Sequence, residues 1–190
     1  LEQFKHYSKF QMLIATMLSA RTKDTTTIPI VVRMFRKWRT PEDFLKVNFL
    51  ELEKELYGIG FYRVKSRNIQ KLSKMIISDF NGKVPDTLEG MVKLPGVGRK
   101  TANCMLNYAF GKSAVAVDIH VHRISNRLGW VKTGSESETE LKLMKILPKE
   151  LWNKVNMLLV NHGQNVCFPI KPNCKECKIV KLCKFEKKNL

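Results

Sequence analysis

The segment Leu94-Pro95-Gly96-Val97-Gly98-Arg99-Lys100-Thr101-Ala102 constrains this chain more than any other stretch. A proline followed by two glycines one residue apart predicts a tight turn, and the residues after it predict a helix that starts at once. Glycine permits positive φ and leaves the backbone bare, so amide N–H groups can approach a phosphate closely. The helix adds its positive dipole end and its unpaired N–H groups at the same place. A turn between two helices with no function is the plain alternative, because Gly-x-Gly alone is a weak signal. The context favours phosphate binding, since Arg99 and Lys100 fall on the first helical turn.

That context extends to the whole chain. Its 190 residues carry 34 Lys plus Arg against 17 Asp plus Glu, a formal net charge of +17. Such an excess requires an anionic partner. No apolar run approaches the ~18 residues of a membrane span, and no signal-peptide pattern is present. Nucleic acid is therefore favoured over a membrane surface. A hydrophobic content of 44% is enough for one domain or two small lobes sharing a core, without disulfide staples. The chain begins with Leu1 rather than Met, so trimming of its N-terminus is expected.

Helical spacing dominates the pattern. Phe10, Leu13, Ile14, Met17 and Leu18 follow the i, i+3, i+4 rule behind a cap at Ser8, which predicts a buried helix over residues 8–20. Asp24 to Trp38 reads as a second helix with an apolar stripe of Ile28, Val31, Val32 and Phe35, its start delayed by Pro29. Pro41 suits the first turn of a third, and Leu50 to Leu56 suggests a fourth. The Gly58–Tyr62 turn launches a helix through Ile69, Leu72, Ile76 and Ile77, which Asn81-Gly82 breaks. A short helix around Thr87, Leu88, Met91 and Leu94 precedes the hairpin, and Gly111 ends the helix after it. Ala114 to Val117 reads as an extended connector, and Asp118 as the cap of a helix whose inner face is Val121, Ile124 and Leu128. Two more helices are expected near 138–147 and 149–162. No strand, repeat or low-complexity tract emerges, so the fold class is all-α.

Two residues carry candidate chemistry. A helix N-terminus and the neighbouring Arg99 both disfavour an ammonium at Lys100, which leaves an amine able to attack C1′ of a nucleotide. That attack expels the base and forms a Schiff base. The iminium then acidifies the C2′ proton, and the 3′ phosphate leaves by β-elimination. The bland reading of Lys100 is a solvated surface lysine. Asp118, 18 residues later, caps its helix on the bland reading. On the sharper one it stabilises oxocarbenium-like charge as the glycosidic bond breaks.

Five cysteines occur, four of them in the last 24 residues, spaced Cys167-x6-Cys174-x2-Cys177-x5-Cys183. The odd count and the clustering argue against a disulfide framework and for a metal centre in a reducing compartment. Zinc and an iron–sulfur cluster both accept four thiolates, although zinc modules usually show two short C-x2-C pairs and here there is one. Lys171, Lys175, Lys178, Lys181 and Lys184 interleave with the cysteines, with Glu176 the lone acid among them, so the loop can present lysines to a DNA backbone. Cys104 reads as a core residue of the hairpin helix.

Leu94 to Asn103, Val117-Asp118-Ile119-His120-Val121 and the terminal cysteines together resemble the endonuclease III family, the helix-hairpin-helix DNA glycosylase/AP lyases of base excision repair. Leu18-Ser19-Ala20, Gly58 to Asn68 and His162-Gly163-Gln164 extend the resemblance over essentially the whole chain. The resemblance implies that Lys100 is the Schiff-base nucleophile, that Asp118 is the second catalytic residue, and that the four cysteines hold a 4Fe–4S cluster. It implies contacts to duplex DNA from Gly96, Gly98 and Arg99. The wedge residues that fill the gap left by an extruded nucleotide fall at Arg21 and Phe61, and His120 lines the lesion pocket. Arg21 departs from the glutamine common in bacterial members. The family also carries a further stretch ahead of the helix near Ser8, so a truncated chain or a smaller second lobe is expected.

The architecture expected is a two-lobed helix-hairpin-helix glycosylase fold. Residues 2–112 form a six-helix lobe ending with the hairpin and residues 113–190 the iron–sulfur cluster lobe, with DNA across the mouth where Lys100 and Asp118 face each other. Such a protein acts as a monomer on double-stranded DNA bearing damaged pyrimidines or abasic sites, with no membrane partner. Mismatch glycosylases on the same scaffold generally lack a lysine at the place of Lys100. A non-catalytic DNA-binding module is the alternative from another class.

Overall fold

In the computed structural model, which describes residues 6–190, ten α-helices form, six of them capped by a side chain at the N-terminus. In chain order they are α1 (Lys9–Ser19), α2 (Asp24–Lys37), α3 (Pro41–Lys46), α4 (Phe49–Glu55), α5 (Tyr62–Phe80), α6 (Leu88–Val92), α7 (Arg99–Phe110), α8 (Ile119–Leu128), α9 (Glu136–Ile146) and α10 (Trp152–Asn165). No strand occurs among the described residues, and none of these helices is long and apolar enough to cross a membrane. The chain divides into two compact units, residues 1–112 and 113–190.

In the first unit, Ser8 and Gln11 exchange bonds at 3.2 and 3.1 Å in a capping box that opens α1. Thr40 and Asp43 do the same for α3, and the N–H groups of Arg39 and Thr40 hold the Asp43 carboxyl below its usual pKa. α1 is buried without a break from Phe10 to Leu18, and it packs on α2, α5 and α7. Leu13, Ile14 and Leu18 are fully buried, each worth about 1.5–3 kcal/mol. A helix buried on every side is the axis of its unit.

Two expectations about this unit change. Pro29 does not delay α2 but sits inside it. The first turn is already closed by Thr26 and Thr27 N–H groups on the Lys23 carbonyl, and the carbonyl that Pro29 cannot serve belongs to exposed Thr25. The buried face of α2 is Thr27, Ile30, Val31, Met34 and Phe35, while Val32 is exposed and Ile28 half-buried. The stripe shifts because Met34 and Ile30 complete the helical period with Thr27. Among the described residues the unit holds seven helices, one for each segment that the spacing marks, with Asn48 capping α4 as a helix separate from α3.

The second unit is centred on α8, which packs against α9 and α10. Its core joins Val115 and Val117 of the extended connector to Val121, Ile124 and Leu128 of α8, Leu143 of α9, and Val155 and Leu159 of α10. Beyond α10 the chain is irregular apart from one 3₁₀ turn at Val180–Leu182.

Candidate active site

The hairpin is closed by the Val97 N–H on the Leu94 carbonyl at 3.0 Å, with both side chains buried beneath it. Its two glycines do different work. Gly96 has φ +81, and a Cβ there would stand 2.8 Å from Asn68 Nδ2 and 2.9 Å from Met17 Cε. The fold itself therefore demands glycine at 96. Gly98 has an ordinary φ of −87, and a Cβ there would meet open space. The expectation that both glycines serve positive φ holds only for Gly96. Gly98 is also the N-cap of α7 and lends no side-chain cap, and Arg99 and Lys100 on the turn after it are exposed.

Asp118 caps α8 in the other unit. Its Oδ1 accepts from the N–H of His120 at 2.9 Å and of Val121 at 3.0 Å, so the cap uses one oxygen of the carboxylate. His120 lies in that first turn with its Nδ1 3.1 Å from Arg123 Nη2. Gly163 makes this arrangement possible, since a Cβ there would be 2.5 Å from His120 Nδ1.

Arg21 and Phe61 come together in the first unit, the guanidinium 5.6 Å from the ring centroid. Both side chains are exposed, Phe61 by 62%. Both backbones are left-handed, φ +56 and +60, a conformation costing a side-chain-bearing residue about 1 kcal/mol or more.

Cys167, Cys174, Cys177 and Cys183 line one cavity with Ile124, Leu128 and Val166, and none is in a disulfide. Arg127 Nη1 donates to Cys167 Sγ at 3.2 Å. Its remaining donors hold the loop, through the Phe168 carbonyl at 2.7 Å and the Pro169 carbonyl at 2.8 Å. Arg123 reaches the Cys167 carbonyl at 2.9 Å. His162 Nε2 lies 3.8 Å from Cys177 Sγ, and burial pushes its pKa down. Among the described residues no three Cys, His, Asp or Glu gather closely enough for a single metal ion. Four cysteine sulfurs around one cavity are a donor set that a zinc ion or a multi-iron cluster accepts. The five loop lysines are exposed, and Cys104 is buried in α7.

Sequence reasoning passed over Lys65, Arg123 and Arg127. In a chain with 34 basic residues nothing in the pattern marks these three, and only their bonding partners do.

Residues 14–149 match the HhH-GPD superfamily of base excision DNA repair proteins. Endonuclease III of Thermotoga maritima is 45% identical over 95% of this chain and 85% of its own length. That of Bacillus subtilis is 44% identical over 94% and 82%. A solved covalent intermediate of endonuclease III trapped on DNA superposes with a TM-score of 0.89 at 44% identity, covering 94% of this chain and 84% of that one. A thermostable thymine-DNA glycosylase gives 0.84 at 28% identity, covering 96% and 87%.

Proposed function

This chain belongs to the endonuclease III family of the HhH-GPD superfamily, and we propose that its glycosylase/AP lyase chemistry on duplex DNA runs through Lys100 and Asp118. It is a base excision repair enzyme. The observation that carries the site assignment is Gly98: nothing inside the protein requires glycine there, so its bareness serves a partner from outside. That partner is a DNA phosphate taken by the uncapped first turn of α7, which brings the backbone down onto Lys100.

The Lys100 amine attacks C1′ and the base departs with the glycosidic electron pair. The amine then loses a proton, and its lone pair opens the sugar ring by breaking C1′–O4′, with O4′ taking up a proton, which leaves a protonated Schiff base. Removal of the C2′ proton then expels the 3′ phosphate, and hydrolysis returns the free lysine. The Asp118 carboxylate stabilises positive charge on the sugar as the base leaves. Arg99 neutralises phosphate, and Arg21 and Phe61 fill the gap in the stack. His120, held by Arg123, borders the extruded nucleotide. The substrates are oxidised pyrimidines and abasic sites, and the enzyme acts as a monomer.

Cys167, Cys174, Cys177 and Cys183 would hold a 4Fe–4S cluster, which supplies a rigid tie for the lysine-bearing loop when bound. Brown protein absorbing near ~400 nm supports that assignment, and colourless protein carrying zinc overturns it. Borohydride in the presence of an abasic duplex should trap a covalent protein–DNA adduct that is absent in Lys100→Gln. No adduct from the wild-type protein would refute the lyase assignment.

A further inference from the structure

Lys65 lies in the first turn of α5, four residues after Phe61, and none of the chemical roles above falls to it. Its side chain is half-buried, and its Nζ donates to the Leu18 carbonyl at 2.9 Å, the Ala20 carbonyl at 2.6 Å and Thr22 Oγ1 at 3.4 Å. An ammonium has three donors, and all three are spent here. Desolvation pulls its pKa down to about 8, so the charge is held at a cost that a surface lysine would not bear. It also lies at the C-terminal end of α1, where a positive charge meets the negative end of the helix dipole.

The three acceptors bracket Arg21 on both sides. At the same time the Lys65 backbone N–H donates to the Phe61 carbonyl at 3.0 Å. One residue thus binds the neighbours of Arg21 with its side chain and Phe61 itself with its main chain. The two loops are fastened again where the Gly60 N–H donates to Thr22 Oγ1 at 3.0 Å. A Cβ on Gly60 would stand 2.9 Å from the Arg21 carbonyl oxygen, so the backbones meet with no room to spare. Arg21 and Phe61 are two of the four left-handed residues other than glycine among those described. Strained backbone persists where its surroundings over-determine it, and this clamp is what does so.

We propose that Lys65 is a positioning residue that joins Arg21 and Phe61 into one rigid wedge, which enters the duplex as a single body. The inference rests on the wedge roles given to those two side chains. Lys65 touches neither DNA nor the reacting atoms. Its work is confined to substrates whose target nucleotide must be driven out of the stack.

The test compares two abasic duplexes under single-turnover conditions. In one the abasic nucleotide faces a base, and in the other it forms a one-nucleotide bulge already outside the stack. Lys65→Met keeps the chain's reach and removes the donors. It should lower the ratio of paired to bulged rates by about tenfold or more, the effect of losing a charged hydrogen bond. A 2-aminopurine placed opposite the abasic site should show a correspondingly weaker fluorescence rise. Equal losses on both duplexes, or none on either, overturn the proposal. Thr22 gives an independent arm should Lys65→Met fail to fold. Thr22→Val should show the same selective loss in smaller measure, and Thr22→Ser, which retains the hydroxyl, should match wild type. Thr22→Val acting equally on both duplexes overturns the proposal as well. A wild-type protein inactive on both duplexes would instead refute the underlying repair reading.

Discussion

The hairpin between α6 and α7 and the cysteine segment after α10 are the two places read as DNA-facing, and they are built on opposite plans. The hairpin is closed by its own backbone and seated on buried Met91, Leu94 and Val97. The cysteine segment has one short 3₁₀ turn and is tied to α8 by guanidinium groups of Arg123 and Arg127. A segment with so little regular structure recovers little of its chain entropy from packing. On the proposed cluster assignment, what the four sulfurs hold supplies the rest, so one region is a finished turn and the other takes a guest.

The largest expected effect therefore falls on the cysteine segment. Cys174→Ser should abolish absorbance near ~400 nm and cost the second unit more than about 4 kcal/mol in thermal unfolding, with proteolysis confined to the tail. A tail that stays protected in this variant would show that packing alone suffices there. Next comes Gly96→Ala, which meets both a positive φ and two close neighbours. Denaturant unfolding should show a loss of about 2–4 kcal/mol. An unchanged midpoint would mean the hairpin rearranges freely.

Acid should distinguish the first unit in a third way. Burial works to raise the Glu55 carboxyl, but hydrogen bonds from Lys37 and Arg33 outweigh it and hold its pKa below 4.5. A carboxylate with a lowered folded pKa contributes stability above its unfolded value and loses it as pH falls through the folded one. Glu55→Gln should therefore cost about 1–3 kcal/mol at pH 7, with the difference from wild type shrinking below pH 4.5. A gap that persists at low pH would point to packing instead of charge. The smallest effect on stability belongs to Gly98→Ser, which supplies a good N-cap where nothing crowds it. Its melting temperature should hold or rise by a degree or two, while duplex affinity falls about tenfold as measured by fluorescence anisotropy. Intact affinity would remove Gly98 from the phosphate site.

The all-α class was legible from spacing and caps, because Ser8, Thr40, Thr87 and Asp118 each satisfy donors within a few residues of themselves. The Gly-x-Gly turn and the four-cysteine spacing were legible for the same reason: their geometry is local. Pro29 misled because its cost depends on whether the orphaned carbonyl reaches water, and Val32 misled because burial depends on a neighbouring helix.

Sequence by itself thus determined the helices, the hairpin and the four-cysteine spacing. Tertiary structure alone showed that Gly96 answers to the fold while Gly98 meets open space, since the left-handed φ of Gly96 and its neighbours 28 and 79 residues away, Asn68 and Met17, tell the two apart. It alone singled out Lys65, whose acceptors lie 43 to 47 residues earlier in the chain. A lysine's role is set by what its three donors meet, and that is a property of the folded surface rather than of the residue.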